Sequence, residues 1–197
     1  MWRPAKVLCV IAALNGINSP ACWVPIVKGG NRRFYKPSEW FMNWSNEAVH
    51  EYRVTNKKKA RFQNSQYYFQ NGVAVPMVSS SSITASIIDG RLFDQSIVGI
   101  FPKKKYVNLT YYILGFFNTE VCNKLIRTIN ASTNNSANYI KKIPLLIPSK
   151  KILDQITLEV ERLIRLASKK QIQKDELKKL NHNFNLIYGV EIEQLNR

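Results

Sequence analysis

The apolar residues of this chain follow two different spacings, and this difference constrains the fold more than any other sequence feature. Up to Phe101 they fall in short extended runs separated by turn residues such as Asn71-Gly72 and Asp89-Gly90. From Leu109 onwards most of them recur at positions i, i+3, i+4 and i+7, the spacing of an amphipathic helix. Extended runs followed by helices predict an α+β fold.

The extended runs predict a sheet that is mixed or antiparallel. Cys22–Val27 and Arg33–Tyr35 flank Gly29-Gly30 and are expected to form a β-hairpin. The other runs expected to be strands, the last of them an edge strand because prolines bound it, are Tyr67–Phe69, Val73–Val78, Ile83–Ile88, Ser96–Phe101 and Ile143–Pro148.

Two helices are expected within the same part of the chain. Asn43–Arg53 is predicted to be a short helix that begins after Ser45, whose hydroxyl can accept a hydrogen bond from the first turn. Leu109–Arg127 is predicted to be a longer helix, buried on one side and broken near Asn118.

The last part of the chain is predicted to be entirely helical. Ser149 can begin an amphipathic helix, and a second amphipathic run starts at Lys170 and is expected to end at Gly189. The chain therefore divides into an unassigned segment (residues 1–21), a mixed or antiparallel-sheet domain (residues 22–148) and a C-terminal helical arm (residues 149–197).

The charge of the chain points to an anionic partner. There are 29 Lys and Arg residues against 13 Asp and Glu residues, which gives a formal net charge of +16. An excess of this size favours nucleic acid first, an anionic membrane surface second, and solubility alone third. Apolar residues make up 45% of the chain, so a disordered tail is excluded as its main character.

The N-terminal segment has two readings. Arg3 and Lys6 precede the apolar run Val7–Leu14, as in a secretory signal peptide. That run is only eight residues long, too short to span a bilayer, and a buried strand has the same pattern. The chain has an odd number of widely separated cysteines, which indicates neither disulfides nor structural zinc. A reducing, cytoplasmic location is therefore predicted, and the buried strand is favoured over the signal peptide.

Most enzyme classes lack their motifs here. The chain has no glycine-rich phosphate loop, no dinucleotide-binding loop and no nucleophile elbow, and its two histidines are far apart. A small metal-dependent nuclease that uses Glu176 and Lys178 stays open as an alternative, although both residues lie in a helical charge run. No cofactor and no metal site are predicted for the chain itself.

Basic clusters supply the candidate binding residues. Gly29 and Gly30, which lack side chains and can approach a phosphate closely, are flanked by basic residues. Ser79–Ser82 can donate to phosphates or base edges. Lys103–Lys105 form a further cluster. The residues predicted to contact DNA are Lys28, Gly29, Gly30, Arg32, Arg33, Lys36, Lys57, Lys58, Lys59, Arg61, Ser79, Ser80, Ser81 and Ser82.

The order of several motifs carries a resemblance to a known family. Trp23–Lys36 has the form W-x-P-x-x-K-G-G with a following aromatic residue, and Asn43-Trp44 comes next. Tyr67–Gly72, Tyr111–Asn118 (YYILGFFN) and Ile143–Pro148 (IPLLIP) follow in that order. The series resembles the target-recognition domain of adenine-specific DNA methyltransferases from restriction-modification and phage-exclusion systems, in the TaqI-like and type IIG group.

The resemblance extends from Trp23 to about Leu166 and implies DNA recognition without catalysis. The catalytic half of such enzymes carries an Asn-Pro-Pro-Tyr/Phe motif, whereas this chain has no Asn-Pro dipeptide and no glycine-rich S-adenosylmethionine loop. The resemblance therefore implies that residues 22–148 read double-stranded DNA and that a separate catalytic domain binds S-adenosylmethionine. The helical arm, which resembles the spacer helices of type I specificity subunits, would then dock a methyltransferase subunit or a second copy, with no membrane involved.

Overall fold

The structure is a computed structural model that describes residues 14–18, 22–30, 32–54, 62–79 and 82–190. Two small sheets and a set of helices make up these residues, so the predicted α+β class with C-terminal helices is confirmed. Six of the residues predicted to contact DNA lie outside this part of the chain, namely Lys57, Lys58, Lys59, Arg61, Ser80 and Ser81.

The first sheet has the strand order β2-β1-β5. Strand β1 (Trp23–Val27) pairs antiparallel with β2 (Trp40–Asn43) and parallel with β5 (Leu92–Phe93). The predicted hairpin between Cys22–Val27 and Arg33–Tyr35 is therefore wrong. The chain passes the Gly-Gly turn and crosses to the second sheet before it returns as β2.

The second sheet is antiparallel and has the order β4-β3-β6. Its strands are β3 (Val73–Pro76), β4 (Ser86–Ile87) and β6 (Ile97–Ile100). All four residues of β3 are buried because both neighbouring strands and the helices cover it. This accounts for its continuous apolar sequence.

Six helices lie in the described residues, in addition to short 3-10 turns at Ser65–Tyr67 and Lys104–Leu109. They are α1 (Asn46–Val54), α2 (Thr110–Phe116), α3 (Glu120–Ile129), α4 (Ala137–Ile140), α5 (Lys150–Ser168) and α6 (Lys174–Tyr188). Tyr67–Phe69 and Ile143–Pro148 are not strands, contrary to the sequence prediction. Tyr67 instead ends the first 3-10 turn, and Tyr68 and Phe69 pack against the Trp44 ring. Ile143–Pro148 follows an irregular path beside the helices of the main core.

Three of the helix boundaries agree with the sequence. The Ser45 hydroxyl accepts a hydrogen bond from the Ala48 amide (3.2 Å) at the start of α1. The predicted break near Asn118 separates α2 from α3, and Gly189 ends α6 with a left-handed φ of 61°. These signals are local, which is why the sequence is sufficient to locate them.

The largest core lies between the second sheet and the helices. Helix α2 crosses α5 so closely that a Cβ atom on Gly115 would come within 2.7 Å of Val160 Cγ2. The fully buried Phe184 of α6 contacts Tyr112 and Phe116 of α2, with ring centroids 5.2 and 5.8 Å apart. The helical arm is therefore packed against the sheet domain through a shared core.

A smaller aromatic core supports the first sheet. Trp44 is 1% exposed and packs against the rings of Phe62, Tyr68 and Phe69, with centroids 5.5–5.9 Å apart. Its backbone amide donates to Cys22 O (2.6 Å). The Asn43-Trp44 pair thus fixes where strand β2 meets helix α1.

Candidate nucleic-acid interface

Residues 28–30 and 32–36, called here the basic segment, connect the two sheets. Phe34 has no exposed surface, and its backbone amide donates to Ala85 O (2.7 Å) while its carbonyl accepts from the Ile87 amide (2.9 Å). Its φ of 64° lies in the left-handed region, which a bulky residue rarely adopts. The buried ring and the two hydrogen bonds hold the segment in this conformation.

The Gly-Gly turn of the basic segment is held by side chains on both sides. The Gly29 amide donates to Ser96 Oγ (2.6 Å), and a Cβ atom on Gly29 would lie 2.8 Å from Ser96 O. Lys36 Nζ donates to Lys28 O (3.0 Å) and also to Gly29 O. Glycine is required at position 29 by this close approach.

Arg33 and Lys36 have internal partners in this structure. The Arg33 guanidinium donates through Nη1 to Asn118 O (2.6 Å), at the break between α2 and α3. Burial lowers the pKa of Arg33 by more than the nearby Glu120 carboxylate raises it. Two of the three Lys36 ammonium protons are directed at carbonyls of the Gly-Gly turn. Their predicted phosphate contacts stay predictions.

Lys28 and Arg32 face outwards on the same segment. Lys28 Nζ lies 4.4 Å from the centroid of the Trp40 ring and 4.0 Å from Asp94 Oδ2, so a ring and a carboxylate orient it. Arg32 is exposed, and its side chain has no partner among the described residues. Both cations can therefore reach a ligand without disturbing the fold.

A groove of about 960 Å³ lies against the Gly-Gly turn, between the two sheets. Three exposed neutral amides line it, Gln63, Asn64 and Gln95, and it is called here the amide groove. The amide side chains make no hydrogen bond within the described part of the chain. Lysine and arginine are absent from its lining in the same part. Its donors and acceptors are therefore free to meet a ligand.

Apolar and aromatic residues form most of the rest of the amide groove, in which Asp94 and Ser96 are the other polar residues that line its described walls. Tyr67 and Phe101 stack with ring centroids 4.8 Å apart, and Tyr67 is 38% exposed. Val78 also lines the groove and is 66% exposed. The groove thus combines hydrogen-bonding amides with apolar contact surface, the mixture with which proteins read base edges.

The serine loop is anchored at both ends. Ser79 is buried, and its hydroxyl accepts from Asn135 Nδ2 (2.8 Å) while its carbonyl accepts from Arg127 Nη2 (3.2 Å). Beyond the loop, the Ile83 amide donates to Asn123 Oδ1 (2.5 Å). Of the two described serines, Ser82 is the more exposed, and the Ser79 hydroxyl is engaged inside the protein.

The signals that pointed to particular binding residues in the sequence were charge, the Gly-Gly turn and the serine run, and none of them indicated the amide groove. Gln63 and Asn64 precede the 3-10 turn, whereas Gln95 follows β5. Neutral amides far apart in the chain form no recognisable motif. Only the crossing of the basic segment between the sheets brings them together beside Gly29 and Gly30.

The residues of the nuclease alternative are engaged in ion pairs. Both carboxylate oxygens of Glu176 accept from the Arg162 guanidinium, which lowers the pKa of Glu176. Lys178 Nζ lies 3.1 Å from Asp175 Oδ1. Within the described ranges, no three His, Cys, Asp or Glu residues are grouped so as to hold a metal ion. No observation favours this alternative.

Neither a membrane-spanning helix nor a match to a known protein adds to this description of the site. No helix in the described residues is both long enough and apolar enough to cross a membrane. No protein-family model and no curated protein matches the chain.

Proposed function

We propose that this chain is the DNA sequence-recognition module of a restriction-modification-type adenine-N6 DNA methyltransferase and has no catalysis of its own. The observation that carries the proposal is the position of the basic segment, whose Gly-Gly turn forms one wall of the amide groove. Cations that can meet phosphates and amides that can meet bases therefore lie side by side. Duplex DNA presents these two features together.

The phosphate contacts are assigned first to the outward-facing cations. Arg32 and Lys28 flank the Gly-Gly turn; Arg32 has no partner within the described residues, and Lys28 is held by the Trp40 ring and, at 4.0 Å, by the Asp94 carboxylate. Between Arg53 and Leu153 the sequence has only three acidic residues, Asp89, Asp94 and Glu120, so little negative charge opposes a polyanion there. Lys57, Lys58, Lys59 and Arg61 belong to the same basic region of the sequence and remain in the proposal.

The base contacts are assigned to the amide groove rather than to Ser79. Asn and Gln pair in bidentate fashion with adenine, and an exposed apolar side chain such as Val78 suits the thymine methyl group. Arginine and lysine, which read guanine, do not line the described walls of the groove. We therefore expect the recognised sequence to be rich in A·T pairs.

The catalytic chemistry belongs to a separate polypeptide or domain in this proposal. That domain would bind S-adenosylmethionine and hold the adenine that is flipped out of the duplex. The helical arm, which exposes Leu158 and Leu186 by 65% each, would dock it or a second copy of this chain. Such a system would act in the cytoplasm, where the DNA is.

Sequence selectivity tests the assignment of the amide groove. A preferred duplex is first selected from a randomised pool, and its affinity is compared with that of a scrambled duplex. Replacing Gln63 and Gln95 by alanine is expected to reduce the ratio of the two affinities by about tenfold or more, because each bidentate amide contact contributes about 1–3 kcal/mol of discrimination. The affinity for scrambled DNA should not change.

The matched control for this experiment is Gln66→Ala. Gln66 is exposed in the adjacent 3-10 turn but does not line the groove. The control should retain the selectivity of the wild type. Equal loss of both affinities in the double variant, or unchanged selectivity, would show that the groove does not read bases.

A further inference from the structure

A second cleft, of about 440 Å³, lies where the basic segment meets the helices. Four cations from three parts of the chain line it: Arg33 of the basic segment, Lys124 of α3, and Lys174 and Lys178 of α6. These four residues define what is called here the basic cleft. Their convergence depends on the tertiary fold, since 141 positions separate Arg33 from Lys174.

Arg33 is the deepest of these cations and is incompletely satisfied. It is partly buried, and its one hydrogen bond within the described residues goes to a neutral carbonyl, Asn118 O. No carboxylate forms an ion pair with it among those residues. Glu120 attracts Arg33 but forms no ion pair with it within the described residues. A guanidinium has five N–H donors, and a partly buried cation without a directly bound counter-charge is unfavourable. An anion in the cleft would supply that counter-charge.

The lysines are also available to a ligand. Lys124 and Lys174 are exposed and have no partner within the described residues. Lys178 is paired with Asp175 at 3.1 Å, but both side chains are more than three-quarters exposed, so water and salt weaken this pair. All three ammonium groups can therefore turn towards an anion.

The acidic and amide groups of the cleft are mostly occupied by one another. Glu120 is the one carboxylate that lines it within the described residues. Asn181 Nδ2 donates to Glu120 Oε1 (3.3 Å), and Asn181 Oδ1 accepts from the Glu120 amide (2.9 Å). Within the described residues four cations and one carboxylate line the basic cleft, and Asp175 beside it is paired with Lys178, so the cleft keeps a net positive charge. Negative charge is the complementary feature of a ligand.

We propose that the basic cleft binds a phosphate group of the DNA backbone, so that helix α6 and the basic segment hold the same strand. This inference rests on the proposed function and adds three lysines of the helices to the residues that contact DNA phosphates. Phosphates are suited to the cleft because Arg33 can donate two parallel hydrogen bonds while the lysines add charge around it. The contact would fix the orientation of the duplex without reading its sequence.

The test compares two double variants that remove the same charge from neighbouring helices. Lys174→Ala/Lys178→Ala removes two cations of the cleft. Lys150→Ala/Lys151→Ala removes two exposed cations of α5, of which Lys150 is paired with Asp154 as Lys178 is with Asp175. Affinity for a duplex of random sequence is measured by fluorescence anisotropy at several salt concentrations.

The cleft variant is expected to lose about tenfold in affinity at low salt, and its plot of log affinity against log salt should become less steep by about one. The α5 variant should keep the slope of the wild type. Equal slopes in the two variants, with DNA binding intact, would overturn the proposal for the cleft and leave the proposed function standing. A wild type that binds no DNA would overturn both.

A second measurement separates the cleft from DNA binding as a whole. Inorganic phosphate at constant ionic strength is expected to raise the Tm of the wild type, and this increase should be lost in Lys174→Ala/Lys178→Ala, since a ligand stabilises only the state that binds it. Stabilisation by phosphate in a wild type that binds no DNA would replace the proposal with a site for a small phosphate. Equal stabilisation of both proteins would contradict the cleft as an anion site.

Discussion

Replacing Phe34 by alanine is expected to reduce the free energy of unfolding by about 3–5 kcal/mol, the cost of removing a fully buried aromatic side chain. Phe34 has no exposed surface and lies in the main core, and its backbone pairs with Ser86 of β4. Its left-handed φ of 64° is itself unfavourable for a residue with a Cβ atom. Burial of the ring must therefore outweigh the strain, and alanine retains the strain while losing the burial.

The same substitution should release the basic segment. The two backbone hydrogen bonds of Phe34, to Ala85 and Ile87, depend on the ring for their position. Urea unfolding measures the stability, and Phe41→Ala is the control because that ring is 54% exposed on the edge strand β2. The control should change stability by less than about 1 kcal/mol. Similar losses in the two variants would show that Phe34 does not anchor the segment.

Replacing Asn118 by alanine is expected to cost about 2–4 kcal/mol, because buried backbone groups lose their partners. Asn118 is 2% exposed, and its Oδ1 accepts from the Ala85 amide (3.0 Å). Its Nδ2 donates to Ala85 O and to Leu114 O, both at 2.9 Å. One side chain therefore ties the end of helix α2 to the strand segment on which Phe34 is anchored.

The Asn118 prediction has its own control. Asn138→Ala alters an exposed asparagine in helix α4 and should be close to neutral. Asn118→Ala should also weaken DNA binding, since Asn118 O accepts the hydrogen bond of Arg33 and its position depends on the side-chain network. Wild-type stability in Asn118→Ala would mean that Ala85 finds other partners, and the network would not be the support described here.

Local sequence signals predicted the helices well and the sheet pairing poorly. The Ser45 cap, the helix break at Asn118 and the Gly189 terminus each depend on a few neighbouring residues. The hairpin prediction failed because Gly29-Gly30 has the sequence of a tight turn, whereas Ser96 holds the first of these glycines within the tertiary structure. Pairing of β1 with β5 joins residues 66 positions apart, which no local pattern specifies.

The residues of the candidate site were likewise only partly predictable from the sequence. Charge alone led to Arg33 and Lys36, and it cannot distinguish a cation that faces a ligand from one that donates to carbonyls of its own fold. Arg32, which the sequence argument treated in the same way, is exposed and has no partner within the described residues. The amides Gln63 and Gln95 carry no charge and lie in separate turns, so only the folded chain identifies them as neighbours.

The salt dependence of binding to duplex DNA tests the central claim most directly. The account predicts measurable affinity for random duplex DNA at about 50 mM salt, because phosphate contacts are strong at low salt concentration. With about four phosphates contacted, affinity should fall about 100-fold between 50 and 200 mM salt, linearly in a double logarithmic plot. Absence of binding at the lower concentration, or an affinity that does not change with salt, would contradict it.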